Sequence, residues 1–298
     1  MNGERHPLDP LVLAKISSLI LRARLVVEGV LTGLHKSPHH GQSVEFAEHK
    51  EYSPGDDLRH IDWKVYGKSD KYYVRQFEEE TNLKGYILLD DSGSMGYRSN
   101  KISKLDYGIT LAASLAYLML KQLDAVGVLT FNERESSYIP PRAHSSHIQA
   151  ILQILERLEP GSKTNLAKVL NNLAEKVRRR ALVILISDLF DEADRVLDAL
   201  KRFRHRKNEI IIFHVLDPYE IEFPFKDLTV FLGMEGEGQI LADPRGMRST
   251  YQREISGFIE NYRRVCLENG IDYCLIKTST PLDQALTEYL AKRERFSR

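Results

Sequence analysis

From Lys84 onward the chain alternates short, densely apolar runs with longer amphipathic stretches, and this alternation restricts the fold more than any other feature of the sequence. Lys84–Asp90 carries Tyr86-Ile87-Leu88-Leu89, apolar at consecutive positions. A strand with one wet face alternates apolar with polar residues, whereas a run that is apolar throughout suits a strand buried on both faces, as in a central parallel strand. Ala125–Phe131, Ala181–Ser187, Glu209–Val215 and Asp272–Lys277 repeat the pattern. Between them helices are predicted over Lys104–Leu123, His147–Leu158, Leu166–Val177, Glu192–Arg204 and Tyr251–Leu267, with another from Leu282. This rhythm predicts an α/β fold, a mostly parallel, doubly wound sheet covered by helices on both faces. Ser136–Ile139 reads as a short edge strand stopped by Pro140-Pro141, because proline donates nothing to a ladder.

Two stretches depart from the rhythm. Around Gly233, Gly236 and Gly238, the runs Thr229–Leu232 and Gln239–Leu241 read as a hairpin, an insertion at about residues 217–250 of a core domain spanning 84–298. Residues 33–83 are rich in His, Gly, Tyr and charge and read as an irregular or β-rich appendage. Ahead of them, residues 1–32 read as an amphipathic helix with Leu13, Ile16, Ile20, Val27 and Leu31 on its packing face. Lys15, Arg22, Arg24 and Glu28 interrupt that run, whereas a membrane span needs about 20 mostly apolar residues. The opening Met-Asn-Gly-Glu-Arg-His does not have the layout of a cleaved signal peptide either.

Composition excludes several classes. Forty-two Lys and Arg balance forty-two Asp and Glu, so a generic polyanion binder is not expected. The basic runs 176–180 and 201–207 end predicted helices, where cations suit the helix dipole. Two cysteines, Cys266 and Cys274, make neither a disulfide framework nor a four-ligand zinc site and fit a cytoplasmic protein. His35, His39 and His40 have no cysteine beside them and read as surface or hydrogen-bonding residues.

In open α/β sheets ligands bind beyond the carboxyl ends of the strands. There the first core strand runs into Asp90-Asp91-Ser92-Gly93-Ser94-Met95-Gly96, whose Asp90, Ser92 and Ser94 alternate and can face one point. Thr164 precedes a helix, and Asp188 ends the strand Ala181–Ser187. These are hard oxygen donors, suited to Mg²⁺ or Mn²⁺ rather than zinc. Each also has an ordinary reading, Thr164 as a helix cap and Asp188 as the N-cap of the helix that follows it.

Asp90-x-Ser92-x-Ser94, Thr164 and Asp188, in that order, resemble the metal-ion-dependent adhesion site of von Willebrand factor A domains. Gly33-Leu34-His35-Lys36-Ser37, Glu45-Phe46, the run Gly55-Asp56-Asp57-Leu58-Arg59-His60-Ile61-Asp62-Trp63, Val74-Arg75-Gln76-Phe77-Glu78 and His214-Val215-Leu216-Asp217-Pro218 resemble a bacterial family of unknown function, number fifty-eight. The resemblance implies a von Willebrand factor A-type core behind a family-specific segment. It implies a non-enzymatic adaptor in which Ser92, Ser94 and Thr164 ligate Mg²⁺ and Asp90 and Asp188 act directly or through water. An open coordination position would take an acidic residue from a protein partner, and a MoxR-type AAA+ ATPase is the partner expected. Asp57, Arg59, Asp62 and Trp63 read as an internal network or as part of the partner surface.

Two other classes stay open. Asp90-Asp91-Ser92 with Asp188 and Asp191 faintly resembles a Mg²⁺-dependent haloacid-dehalogenase phosphatase, although Ser92 stands where that chemistry places its acid. A nucleic-acid-binding module would rest on the two basic runs alone.

Overall fold

The computed structural model describes residues 10–14, 16–36, 49–51, 73–75, 84–161, 163–177, 180–287 and 290. In chain order the elements are α1 (Pro10–Leu13), α2 (Leu19–Lys36), β1 (His49–Glu51), β2 (Tyr73–Arg75), β3 (Lys84–Asp90), α3 (Lys104–Lys121), β4 (Ala125–Phe131), β5 (Glu135–Arg142), α4 (His147–Leu155) and α5 (Leu166–Lys176). They continue with β6 (Leu182–Ser187), α6 (Ala193–His205), β7 (Glu209–Leu216), α7 (Pro218–Glu222), β8 (Thr229–Leu232), β9 (Gln239–Ala242), α8 (Pro244–Glu268) and β10 (Asp272–Lys277). Residues 282–287 are helical as well.

Six strands form one sheet in the order β10-β7-β6-β3-β4-β5, parallel throughout except for β5, which runs antiparallel to β4 at the edge. Successive residues of a strand face opposite sides. Ile87 and Leu89 of β3 therefore join one core with Ile184 and Ile186 of β6 and Leu111 and Leu115 of α3. Tyr86 and Leu88 join the other, with Leu170, Leu200 and Phe203 from α5 and α6. Burial on both faces is why these strands are apolar at every position, each buried Leu or Ile contributing about 1.5–3 kcal/mol. In α3, a capping box fixes the start, with Ser103 accepting the Asp106 N–H and Asp106 accepting that of Ser103, both at 3.0 Å. Gly108 brings the helix so close to β3 that a Cβ there would meet Leu89 Cδ1 at 2.9 Å.

Three expectations are corrected. The edge strand does not stop at Pro140-Pro141 but runs on to Arg142. The register shifts between Val126 and Val128, paired with Arg142 and Ile139, so neither proline is a ladder partner. Helix α8 starts at Pro244 rather than Tyr251. Asp243 accepts the Arg245 N–H at 3.1 Å as its N-cap, with the proline in the first turn where its missing N–H costs nothing. The N-terminal helical run is divided into α1 and α2, and the buried face of α2 is Leu19, Ala23, Val26, Val27 and Val30, with Ile20 and Leu31 only half-buried. Among the described residues no helix is long and apolar enough to cross a membrane.

The hairpin forms as the sequence indicates: β8 and β9 pair antiparallel from Thr229–Ala242 to Leu232–Gln239. Strands β1 and β2 pair antiparallel within a separate unit, residues 37–82. His39, His40, Asp57, Arg59, Asp62 and Trp63 lie outside the described residues. Most of the described basic side chains in the two runs have partners, several of them at the surface. Lys176 pairs with Glu135, Arg180 with Glu209 at 2.5 Å and Lys201 with Asp198 at 3.2 Å, while Arg204 and Arg206 donate to the carbonyls of Asn208 and Ala174.

Candidate metal centre

Strands β3 and β6 are direct parallel neighbours, with Leu89 opposite Ile186, so the residues that follow them emerge side by side at the carboxyl edge of the sheet. Asp90 is 1 % exposed and holds the first loop: its Oδ1 accepts the Ser92 N–H at 3.0 Å and its Oδ2 the Ser187 hydroxyl at 2.6 Å. The Ser92 and Ser94 hydroxyl oxygens lie 3.2 Å apart. The 161–165 loop is tied to the same edge, Gly161 N–H donating to the Asp91 carbonyl at 2.6 Å and Asn165 N–H to that of Asn132 at 3.1 Å.

The ordinary readings of Thr164 and Asp188 are not the ones realised. Asn165 caps α5, its side chain accepting the Lys168 N–H at 3.2 Å, and Asp191 accepts the Leu166 N–H at 2.8 Å. Thr164 Oγ1 is buried and makes no hydrogen bond among the described residues. Asp188 does not cap α6: its Oδ1 accepts the Phe190 N–H at 3.2 Å and its Oδ2 the Lys104 ammonium at 2.7 Å.

Three residues that sequence reasoning missed complete the surroundings. Lys104, fully buried in the first turn of α3, also donates to Glu220 at 2.5 Å, and its ammonium lies 4.9 Å from the centre of the Phe190 ring. Burial pushes that ammonium toward neutrality, but Asp188 and Glu220 more than offset this and hold its pKa above the ordinary value. Glu235, at the hairpin tip, accepts the Ser94 N–H through Oε1 and the Thr164 N–H through Oε2, both at 3.3 Å. A cavity of about 260 Å³ opens here, lined by Ser94, Tyr97 and Phe190 and by the carboxylates of Glu220, Glu235 and Glu237.

Burial makes three carboxylates at this edge costly to ionise. Burial first, and Asp188 second, push the Asp90 carboxyl up to about 7. Glu220 and Glu235 are likewise held above the usual carboxylate range by burial, against the hydrogen bonds they accept. Lys104 pairs with Asp188 and Glu220, and a divalent ion would reverse the penalty on ionising Asp90 and Glu235. Among the described residues no three His, Cys, Asp or Glu side chains are grouped to hold a metal, so a cation here depends on the hydroxyls. Closely placed serine hydroxyls, an unpartnered threonine hydroxyl and buried carboxylates form a hard-oxygen donor set that fits Mg²⁺ or Mn²⁺.

His214 on β7 carries a separate pH response. Its Nδ1 lies 2.6 Å from the Tyr273 hydroxyl, the rings of Phe258 and Tyr262 pack against it, and Asp188 and Lys104 are the charges facing it. Burial pulls its pKa down to about 4, against the attraction of Asp188. An unfolded histidine takes its proton near 6.5, so the stability that a neutral His214 preserves at pH 7 is lost as pH falls through 6.5 toward 4. Asp90, with its raised pKa, acts in the opposite sense, so only a difference between variants isolates the histidine. Wild type should lose about 2 kcal/mol relative to His214→Phe between pH 7 and pH 5, read by denaturant unfolding without divalent ions. A pH-independent difference would contradict a buried, neutral His214.

Residues 48–257 match the profile of the family described as "Protein of unknown function DUF58". The chain belongs to that family. Every member of the candidate centre, from Asp90 to Glu235, lies inside the matched DUF58 region. The uncharacterized protein Rv1480 of Mycobacterium tuberculosis (strain H37Rv) is 28% identical over 296 residues, covering 96% of this chain and 91% of its own. The uncharacterized protein Mb1516 of Mycobacterium bovis is similar to the same degree, 28% over 296 residues. Among solved structures, BatB of Bacteroides thetaiotaomicron is similar at 16% identity, covering 72% of this chain and 99% of its own with a TM-score of 0.48. The SpRpn10 VWA domain is similar at 11% identity, covering 68% and 93% with a TM-score of 0.39. The six-stranded sheet, parallel but for one edge strand and wrapped by helices on both faces, gives this DUF58 chain the doubly wound α/β fold expected of a von Willebrand factor A-type core.

Proposed function

We propose that this DUF58 protein is a non-enzymatic adaptor that holds Mg²⁺ or Mn²⁺ at the carboxyl edge of its sheet and uses it to bind an acidic side chain of a protein partner. The observation that carries the reading is Thr164 Oγ1, buried without a hydrogen-bond partner among the described residues, on a loop that Glu235 links to Ser94. A buried hydroxyl left unmatched costs about 1–3 kcal/mol, and a cation would recover that cost. Ser92, Ser94 and Thr164 would hold the ion directly. Asp90 and Asp188 would act directly or through water, since each already accepts two hydrogen bonds from the protein. The bound ion supplies a positive attachment point for a carboxylate. The chain's own residues fix where that point lies.

The phosphatase reading is less well supported. Asp191, the further carboxylate it would draw on, accepts the N–H groups of Leu166 and Glu192 and is occupied in holding α5. The nucleic-acid reading is weakened by the ion pairs that engage the basic runs. A MoxR-type AAA+ ATPase remains the proposed partner, and a cytoplasmic site of action fits the two free cysteines, Cys266 and Cys274. The test is direct binding of the purified MoxR-type ATPase from the same bacterium, in Mg²⁺ and in EDTA. Binding should weaken at least about tenfold in EDTA, and Ser92→Ala should weaken it similarly in Mg²⁺. Affinity indifferent to both changes would contradict the proposal.

A further inference from the structure

We infer that Glu235 is the chain's own carboxylate ligand for the cation at Ser92, Ser94 and Thr164, held over the site by the β8–β9 hairpin until a partner's acid displaces it. The inference rests on the cation reading above and adds the regulation of that site.

Glu235 comes from far along the chain, 141 residues beyond Ser94 and 71 beyond Thr164, yet its two oxygens accept one N–H from each of the two loops that carry the hydroxyls. The hairpin is built to deliver it. Gly236 and Gly238 take φ of +91° and +88°, which lets the tip reverse within a few residues, and Gly233 N–H closes the turn on the Gly238 carbonyl at 2.7 Å. The Glu237 carboxylate accepts the Glu235 N–H at 2.9 Å and sets the direction of the tip. The receiving loop is shaped for the approach: a Cβ on Gly93 would lie 2.4 Å from the Met234 carbonyl oxygen, so the hairpin backbone reaches this close only because residue 93 has no side chain. The two Glu235 carboxylate oxygens thus sit at the two hydroxyl-bearing loops, held there by hydrogen bonds of 3.3 Å, and a divalent ion bound by those hydroxyls would attract them. In this state the position that a partner's acid would take is already held from within.

Mn²⁺ alone, titrated into the full chain, tests this by its affinity and by the water-proton relaxation that each bound ion produces. Glu235→Gln should weaken Mn²⁺ binding about tenfold. It should also raise the relaxation per bound ion, because water enters the position the carboxylate gave up. Added acetate should lower that relaxation in Glu235→Gln and leave wild type unchanged. Equal affinity and equal relaxation in the two proteins would overturn the inference and leave Glu235 as a latch for the hairpin. A wild type that does not bind Mn²⁺ would overturn the cation reading itself, and this inference with it, so the two failures are told apart.

Discussion

Lys104→Met should destabilise the protein by about 3–5 kcal/mol, the cost of removing one partner from a buried ion pair. Methionine keeps the volume of the lysine stem, so the loss reports charge rather than a cavity. Lys104 and Asp188 have fully buried side chains, so the Asp188 carboxylate has no ready access to water once the ammonium is gone, while Glu220, 12 % exposed, meets water only through the cavity it lines. A typical domain has about 5–15 kcal/mol to lose, so the variant should still fold. Mg²⁺ should return part of the loss, because Asp188 belongs to the proposed cation site and a bound ion would supply the missing positive charge. Denaturant unfolding with and without Mg²⁺ checks both parts. A loss below about 1 kcal/mol would contradict the burial of an obligatory ion triad.

Much of the fold was legible in the sequence because burial on both faces leaves a simple mark. Tyr86-Ile87-Leu88-Leu89 and Leu182-Val183-Ile184-Leu185-Ile186 have no polar interruption, and only a central strand tolerates that. The neighbouring of β3 and β6, which puts Asp90 and Asp188 at one edge, was conditional in the sequence and is settled by their register. The corrected boundaries were set by local partners that periodicity does not record. Asp243 as a cap extends α8 back to Pro244, and a register shift lets β5 accommodate two prolines.

Thr164 was legible as an oxygen donor but not as an unpartnered one, since that depends on Asn165 doing the capping. Lys104 left a faint signal, a charged residue at the start of a helix whose other buried members are almost all small or apolar. Glu220 lay in a stretch read only as an insertion; the structure makes it the partner of Asp217 in a capping box and of Lys104 across the fold. Glu235 left none. It lies among glycines in a segment read as a hairpin, and a turn sequence does not say which distant loop the turn will touch. Tertiary contacts of this range, 141 residues for Glu235 and Ser94, have no counterpart in local pattern.

Thr164→Val separates stability from binding, and its effects should have opposite signs. Valine keeps the shape of threonine and removes the hydroxyl that is buried without a hydrogen bond among the described residues. Without metal the variant should therefore be more stable than wild type by about 1 kcal/mol, the cost of the unmatched group being gone. With metal it should lose a direct ligand, and Mn²⁺ affinity should fall about 10- to 100-fold. A helix cap would behave differently, since removing it lowers stability by about 1 kcal/mol and leaves metal binding untouched. The most direct measurement is Mn²⁺ titration calorimetry on wild type and Thr164→Val, with unfolding of both proteins in EDTA. Saturable binding by wild type, weakened in a variant that is more stable without metal, is the result the cation reading predicts. Equal Mn²⁺ affinity in the two proteins, or no Mn²⁺ binding by wild type, would contradict it.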